Sequence, residues 1–486
     1  MTPLRRYAAA SLLAVASAPA HAELKALESL TRTGARVSAA ILDLETGNRI
    51  QALDAETRLG PASVTKLVVA AAALDTWPAD KTFETRVLAA GPLKKGELDG
   101  DLVLHGDGDS TLDHRDLLLL AAQVRGSGVT DVSGRLVVHP AFGPLGCDNV
   151  DRCEALEKSD TAYNVPLSAL GSDYGTWCLD VQPTAPGKPA GVRGCGVGTL
   201  PIAIEGTIDT VGATVDATFW AERSTVEGVD LMKVGGRIPM GPAPTRIYRA
   251  MSDPARGAGL VLKQMLREMG VKVKGEVVVN HDKVPPNAAV LAKADGLALR
   301  EQLGRMLRYS NNYIADLITL DLAAALTPRP PTQLAEASTV LSDFLARSGA
   351  SSGAKSDRGQ PRLYSGSGLT PENELSASEL VAMLDAQFRD ARNFPAFYGG
   401  LVVPRQAPFA FLRGGSRDWL DRVALKTGTM NDPVSVCAVA GYLRKKNGGF
   451  MAFAILVNGS QKTKHVPLYK AMEAIRSDVG DVLAKH

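Results

Sequence analysis

The sequence predicts an α/β fold of the α+β type, in which an antiparallel sheet is flanked by helices and interrupted by a large, mostly β insertion. Residues 67–74 are apolar without any polar face, which is typical of a helix buried on all sides. Three strand-like runs separated by short turns lie within residues 422–457 and predict a meander. Between these parts, residues 89–251 are rich in Gly, Val, Thr and Pro and carry short strand-like segments.

The length and charge of the chain limit its class. A chain of 486 residues is long enough for two to three domains and a sizeable core. We predict one domain from residues 23–88 and 252–486, interrupted by the insertion at 89–251, which has room for two small modules. The formal net charge of +2 gives no indication of nucleic-acid binding or of electrostatic membrane binding.

The first 22 residues have the pattern of a secretory signal peptide. Arg5 and Arg6 precede an apolar stretch at 7–18, and Ala20-His21-Ala22 forms a small-x-small cleavage site. We expect the mature chain to begin at Glu23. No later stretch approaches the roughly 20 apolar residues of a membrane span, and no cysteine follows the cleavage site to carry a lipid. The sequence therefore predicts export to a periplasm without a stable membrane anchor.

The buried helix begins with an S-x-x-K pattern formed by Ser63 and Lys66. The two side chains lie one helical turn apart on the same face, and burial of the lysine favours the neutral amine that can act as a base. The alternative is a serine helix cap followed by a snorkelling lysine. A second S-x-x-K, Ser352 to Lys355, lies in a Gly/Ser-rich stretch without an apolar helix and is not favoured.

Four of the five cysteines cluster in the insertion, which indicates an oxidising compartment. Three pairings are possible, and we favour Cys147–Cys153 with Cys178–Cys195 because each closes a short loop. Cys437 lies alone in a strand-like run and is expected to be a buried free thiol. A structural zinc site is the competing idea, but neither a C-x-x-C pair nor a nearby histidine supports it.

An S-x-N pattern, Ser310 to Asn312, lies between two helical patterns at 299–307 and 314–322. A further helix is predicted at 257–266. Side chains on such a helix connection can face a cleft, where the hydroxyl can pass a proton and the amide can hold a peptide carbonyl. The alternative is an Asx or Ser turn that only caps the second helix.

The third pattern is K-T-G, formed by Lys426, Thr427 and Gly428 in the first strand of the predicted meander. We place this strand at the sheet edge, where the glycine leaves room for a substrate backbone to pair with it. The lysine and threonine supply a cation and a hydroxyl for a carboxylate. An edge strand with a lysine that only blocks aggregation would look similar. A helical pattern at 468–483 is expected to pack on the sheet.

The three patterns in this order are the motifs of serine enzymes that penicillin acylates. The chain resembles the class C low-molecular-mass penicillin-binding proteins, the D-alanyl-D-alanine carboxypeptidase/endopeptidases of the dacB type, over nearly all of its mature length. The long separation of Ser63 from Ser310 is typical of them. Further matching strings lie at residues 37–47, 106–112, 163–170, 366–369 and 440–442. The departures from the family pattern are Asn311, Ser365, Pro371 and Ser110.

The resemblance implies a serine transpeptidase/β-lactamase-like catalytic domain that hydrolyses peptidoglycan peptides ending in, or cross-linked through, D-alanine. It also implies inhibition by β-lactam antibiotics and no metal or organic cofactor. An acidic stretch at 107–113 lacks the glycine and glutamate of an EF-hand, so no metal site is predicted. The implied catalytic residues are Ser63, Lys66, Ser310, Asn312 and Lys426. The implied substrate-binding residues are Thr427, Gly428 and Thr429.

Two other functions use the same sequence features. A β-lactamase or esterase would have to deacylate quickly, and the nearest glutamate for that step, Glu372, fits a surface turn better. A non-enzymatic peptidoglycan-binding protein would have no need of the intact nucleophile and lysines. The sequence does not separate carboxypeptidase from endopeptidase activity, because both release an amine from the same D-alanyl carbonyl.

Overall fold

The computed structural model describes residues 24–147, 153, 162–241, 244–348 and 361–486. The predicted signal peptide at 1–22 and the second S-x-x-K at 352–355 lie outside these residues. Within the described part, none of the helices has the length and apolar character needed to cross a membrane.

A five-stranded antiparallel sheet forms the centre of the fold. Its strands are β1 (Arg36–Asp43), β2 (Arg49–Leu53), β20 (Val423–Met430), β21 (Val436–Arg444) and β22 (Phe450–Asn458). Their order is β2-β1-β22-β21-β20, so the predicted meander is confirmed and the K-T-G strand lies at the edge. Strands β21 and β22 are buried along nearly their whole length because both faces of the sheet are covered.

Helices cover one face of the sheet near the chain termini. They are α1 (Lys25–Arg32), α11 (Arg417–Arg422) and α12 (Leu468–Lys485). The apolar residues of α12 pack with those of the sheet in one hydrophobic cluster, as expected for the C-terminal helix. Cys437 lies in the same cluster and is a buried free thiol, as predicted.

The other face carries the helices that hold the first two motifs. They are α2 (Lys66–Thr76), α5 (Leu299–Tyr309), α6 (Asn312–Leu326), α7 (Leu334–Ala337), α8 (Thr339–Arg347), α9 (Ala377–Arg389) and α10 (Phe394–Gly399). Nine consecutive residues of α2, from Lys66 to Leu74, are buried, which confirms the helix predicted from the unbroken apolar run. The helix starts later than predicted, because Ser63 lies in a 3-10 turn (Ala62–Thr65) that precedes it.

Strands β3 to β19 build the insertion. They are β3 (Glu84–Ala90), β4 (Leu93–Lys94), β5 (Glu97–Leu98), β6 (Asp101–Gly106), β7 (Asp131–Val132), β8 (Leu136–Pro140), β9 (Thr176–Gln182), β10 (Gly191–Gly194), β11 (Ala203–Gly206), β12 (Asp209–Val211), β13 (Trp220–Val226), β14 (Val229–Gly235), β15 (Arg237–Pro239), β16 (Thr245–Ala250), β17 (Lys272–Val273), β18 (Val277–Val279) and β19 (Ala289–Asp295). Among them, β18-β8-β6-β3-β19 form the largest sheet.

Two helices, α3 (His114–Gly126) and α4 (Pro254–Glu268), pack against each other in the insertion. The first was not predicted. The second confirms the helix expected at 257–266, but it joins the hydrophobic core of the insertion rather than the catalytic helices. Strand β19 also pairs with β3, with Asp295 opposite Glu84, so chain beyond residue 252 still belongs to this core.

Both favoured disulfides are present. Cys147 is bonded to Cys153, and Cys178 of β9 is bonded to Cys195, which directly follows β10. The second bond adds a covalent link to the antiparallel β9–β10 pair. The pairing chosen from short loop lengths is therefore confirmed.

Candidate active site

Ser63 and Lys66 face each other at the start of α2. The Lys66 side chain is completely buried, and its Nζ donates a hydrogen bond to Ser63 Oγ at 2.9 Å. Ser63 Oγ in turn lies 3.4 Å from the carbonyl oxygen of Ser367, to which it can donate. A snorkelling lysine would place its amine in solvent, so the geometry favours the nucleophile–base interpretation of the motif.

The second motif occupies the junction of α5 and α6. Ser310 follows the last residue of α5 and has a left-handed backbone with φ +56°. A left-handed conformation is unusual for a serine and is found more often at functional sites than elsewhere. The Asn311 side chain accepts a hydrogen bond from the Ile314 N–H at 2.9 Å and caps α6. The helix-capping role considered as the alternative therefore belongs to Asn311. The side chains of Ser310 and Asn312 remain available to the candidate site.

Asn312 links the two helices that carry the first two motifs. Its Oδ1 accepts a hydrogen bond from Lys66 Nζ at 2.8 Å. Its Nδ2 donates to the carbonyl oxygen of Tyr163 at 3.0 Å. Because residue 163 precedes β9 of the insertion, this amide links the insertion to α6 and Lys66.

The third motif meets the second through Lys426. This side chain is 1 % exposed, and its Nζ donates to Ser310 Oγ at 2.9 Å and to the carbonyl oxygen of Thr427 at 2.6 Å. Burial lowers the pKa of Lys426 to about 7, because the charged amine loses its hydration. A lysine that protects a sheet edge would extend into water. The buried position therefore favours a role in the site.

Gly428 lets the edge strand approach the turn that carries Ser63. A Cβ atom at this position would lie 2.3 Å from the carbonyl oxygen of Pro61 and 2.9 Å from the backbone nitrogen of Ser63. Any side chain here would push strand and turn apart. The close packing of β20 against the turn therefore requires glycine at position 428. The other role predicted for Gly428, making room for a substrate backbone, stays a prediction.

The edge of β20 is open beside the site. Val402 and Leu425 exchange two backbone hydrogen bonds of 2.9 Å, so the edge of β20 is paired at the residue that precedes the K-T-G motif. Thr427 is 8 % exposed, whereas Thr429 is exposed. Among the described residues no strand pairs with the part of this edge that carries the K-T-G motif.

The structure joins six of the eight residues that the sequence singled out by direct contacts, at the junction of the 3-10 turn, α6 and β20, and Thr427 and Thr429 lie on β20 beside them. Two hydrogen-bonded groups lie side by side. One contains Ser63, Lys66 and Asn312. The other contains Ser310 with Lys426.

One functional group was not found by sequence reasoning, the backbone carbonyl of Ser367. It accepts a hydrogen bond from Lys66 Nζ at 2.6 Å. Its own N–H donates to the carboxylate of Asp316, which is completely buried in α6, at 2.7 Å. The signal for this loop was the Gly-Ser-Gly-Leu string at 366–369, but a carbonyl contact has no side-chain signature.

The loop at 365–368 is fixed from within. Ser365 is completely buried, and its Oγ accepts a hydrogen bond from the Gly368 N–H at 3.1 Å. Asn373 donates from Nδ2 to the Ser365 carbonyl at 2.8 Å. The departure from the family pattern at Ser365 is therefore inside the loop and not on a cleft wall.

Comparison with known proteins identifies the family of the chain. The model of the D-Ala-D-Ala carboxypeptidase 3 (S13) family matches residues 21–479. The chain belongs to this family. A D-alanyl-D-alanine carboxypeptidase of Actinomadura sp. (strain R39) is 30% identical over 487 aligned residues, which cover 94% of this chain and 85% of the relative. The S13 assignment confirms the resemblance inferred from the motifs, and it makes the protein a serine hydrolase.

Two further matches come from Haemophilus influenzae. Its D-alanyl-D-alanine carboxypeptidase DacB is 25% identical over 426 residues, covering 84% of this chain and 83% of the relative. The crystal structure of its penicillin binding protein 4 (dacB) superposes with a TM-score of 0.74 at 20% identity, covering 94% of this chain and 99% of that one. The superposition shows that the S13 chain has the same fold.

Proposed function

We propose that this S13 protein is a serine-type D-alanyl-D-alanine carboxypeptidase, endopeptidase or both. It acts on peptidoglycan stem peptides through an acyl-enzyme on Ser63 and is inhibited by penicillin. The observation that carries the proposal is the 2.9 Å contact between Ser63 Oγ and the amine of the fully buried Lys66. A buried amine beside a hydroxyl is the arrangement that activates a serine for acyl transfer.

In the acylation step, the neutral amine of Lys66 takes the proton of Ser63, and the serine oxygen attacks the carbonyl between two D-alanines. The Asn312 and Ser367 oxygens hold the amine in place, each accepting one of its hydrogen bonds. The backbone N–H groups of Ser63 and Thr429 are proposed to stabilise the oxyanion. The approach that Gly428 allows between the two segments supports that pairing.

Departure of the amine requires a proton, and we propose that Ser310 relays to it the proton that Lys66 took from Ser63. Its hydroxyl lies 2.9 Å from Lys426 Nζ. Asn312 orients the peptide backbone of the substrate. Water then attacks the acyl-enzyme and frees Ser63. Penicillin presents a similar carbonyl and carboxylate, so it should acylate the same serine and leave slowly.

The terminal carboxylate of the substrate is proposed to bind Lys426, Thr427 and Thr429. The open part of the β20 edge can pair with an extended substrate backbone, with main-chain hydrogen bonds supplying affinity. Glu372, the residue considered for rapid deacylation, is exposed. This position gives no support to a β-lactamase or esterase.

Export and domain division are also proposals. The pattern of residues 5–22 supports a cleaved signal peptide and a periplasmic location. The pairing of β3 with β19 favours an insertion that runs from about residue 84 to 295, longer than the 89–251 first predicted. The shared hydrophobic core of this stretch supports one inserted unit rather than two modules.

The test is mass spectrometry of muropeptides after incubation with the mature protein. Wild-type protein should remove D-alanine from pentapeptides or open cross-links, and the product shows which activity dominates. Ser63→Ala and penicillin-treated protein should do neither. Ser352→Ala is a matched control in the second S-x-x-K and should keep full activity. Equal inertness of wild type and Ser63→Ala would refute the proposal.

A further inference from the structure

The amine of Lys66 is surrounded by hydrogen-bond acceptors. Its Nζ lies 2.9 Å from Ser63 Oγ, 2.8 Å from Asn312 Oδ1 and 2.6 Å from the carbonyl oxygen of Ser367. A neutral amine has two N–H bonds and one lone pair, whereas an ammonium has three N–H bonds and no acceptor. Three acceptors around one buried nitrogen therefore fit the ammonium that forms once the lysine has taken the proton of Ser63.

The acceptor at 2.6 Å belongs to a segment, residues 366–368, that is wedged between α6 and the 3-10 turn. A Cβ atom on Gly366 would lie 2.0 Å from Thr319 Oγ1 of α6. A Cβ atom on Gly368, whose φ is +71°, would lie 1.9 Å from the carbonyl oxygen of Ala62 in the turn. Both distances are far below a van der Waals contact, so glycine is required on either side of the segment. The segment therefore bridges the helix and the turn.

Two buried side chains fix the main chain of this segment from behind. Asp316, which is fully buried on α6, accepts a hydrogen bond from the Ser367 N–H at 2.7 Å. Ser365 Oγ accepts a hydrogen bond from the Gly368 N–H at 3.1 Å, and this N–H belongs to the same peptide group as the Ser367 carbonyl. Because both N–H groups are held, the carbonyl is fixed in the direction of the Lys66 amine.

The acylation step creates positive charge at this place. The Ser63 O–H bond breaks, an N–H bond forms on Lys66, and the negative charge of the serine oxygen passes to the substrate. The three acceptors around the amine are neutral groups, and the other lysine of the site, Lys426, has the wrong sign of charge for a counterion. A buried ammonium is costly unless a negative charge lies near it. The Asp316 carboxylate, one residue behind the Ser367 carbonyl, has that charge.

We propose that Asp316 is a positioning residue of the acylation step. Through the Ser367 main chain it holds the carbonyl against Lys66, and its negative charge stabilises the ammonium that forms there. Because its side chain is fully buried, Asp316 acts on the amine through Ser367 and does not act on the substrate itself. The inference rests on the proposed function and adds to it a residue that none of the three motifs contains.

Three variants separate the charge of Asp316 from its hydrogen bond. Asp316→Asn keeps an oxygen that accepts from the Ser367 N–H and removes only the charge. Ser365→Ala does the opposite, because it removes an acceptor of the segment and leaves every charge in place. Asp321→Asn is the matched control. It removes another buried carboxylate of α6, one that lies against Gly108 of the insertion.

The experiment measures kcat/KM against pH for an acyl-D-alanyl thioester that has no carboxylate. Its thiolate leaves without a proton, and the uncharged substrate does not require the charge of Lys426, whose pKa of about 7 would otherwise shape the same pH range. The value of kcat/KM should then rise with pH as Lys66 loses its proton. In Asp316→Asn the rise should lie at least about half a pH unit lower, because the ammonium is less stable. The plateau should fall about three- to tenfold, because the amine is a weaker base.

The other variants give the profile its meaning. Ser365→Ala should lower the plateau without moving the rise, and Asp321→Asn should match wild type. Active protein is counted by penicillin labelling, so a loss of folded molecules does not enter kcat/KM. If Asp316→Asn does not fold, Ser365→Asp replaces it in the test, since a carboxylate on the Gly368 N–H should move the rise to higher pH. An unmoved rise in the variant tested, with or without a lower plateau, would overturn the role of the charge. Wild type that penicillin fails to acylate would refute the proposed function instead.

Discussion

The pKa of Lys426 predicts how substrate binding depends on pH. The amine is buried, its hydrogen bonds go to a hydroxyl and a carbonyl, and loss of hydration lowers its pKa to about 7. Only the protonated amine attracts the terminal carboxylate of the substrate. Binding should therefore be strongest below pH 7 and weaken as pH rises, because binding must then add a proton to the lysine.

The magnitude follows from the fraction of protonated lysine. With a pKa of about 7, about half of the amines carry a proton at pH 7 and about 1% at pH 9. Affinity should fall about 50-fold over this interval, which corresponds to about 2.3 kcal/mol. A ligand without the carboxylate gains nothing from the charge, so its affinity should stay nearly constant.

The assay is calorimetric titration of Ser63→Ala, which removes turnover, between pH 6 and 9. The ligands are an acyl-D-Ala-D-Ala peptide and its C-terminal amide, which differ only in the charge that Lys426 is proposed to bind. Lys426→Arg keeps its charge throughout this range and should flatten the pH profile. Parallel profiles for the acid and the amide, or constant affinity for the acid up to pH 9, would refute the reasoning.

Three further predictions concern stability and acylation. Burial raises the pKa of Asp109 to about 6, so the folded protein favours the protonated carboxyl and becomes less stable as pH rises from about 4 to 6. In urea unfolding, Asp109→Asn should match the stability of wild type below pH 4 and exceed it at pH 8 by up to about 3 kcal/mol. A variant less stable than wild type at pH 8 would contradict this. Gly428→Ala should slow penicillin acylation at least about tenfold by separating β20 from the 3-10 turn, and stopped-flow rates equal to wild type would exclude that contact. Asn312→Ala removes an acceptor of Lys66 and should slow acylation about a hundredfold with about 1–2 kcal/mol of lost stability, whereas an unchanged rate would show that this acceptor is dispensable.

Local patterns predicted the elements that carry the site. The buried helix α2, the helices around Ser310 and the three-stranded meander are visible in their own periodicity, because each pattern reflects which faces are buried. Helix α3 was missed for a local reason. Its capping box joins Asp113 and Asp116, and this acidic stretch was considered only as a calcium loop.

The packing partners of an element are less accessible from sequence. Helix α4 was predicted correctly as a helix within the catalytic domain, whereas its buried residues pack in the hydrophobic cluster of the insertion. Its Gly259 lies against Val138 and Val277 of the insertion, where an added Cβ would approach within 2.5 Å. An apolar helix face shows that something covers it and does not show which strands do so.

The sequence by itself determined which side chains are available to the proposed site, because the serines, the two lysines and the amide are residue types in a fixed order. Tertiary structure alone decided their environment. The pKa of Lys426 follows from burial by distant segments, and the Ser367 carbonyl is a backbone group that every residue possesses. Hydration and backbone contacts depend on which distant parts of the chain meet, so they could only be learned from the folded protein.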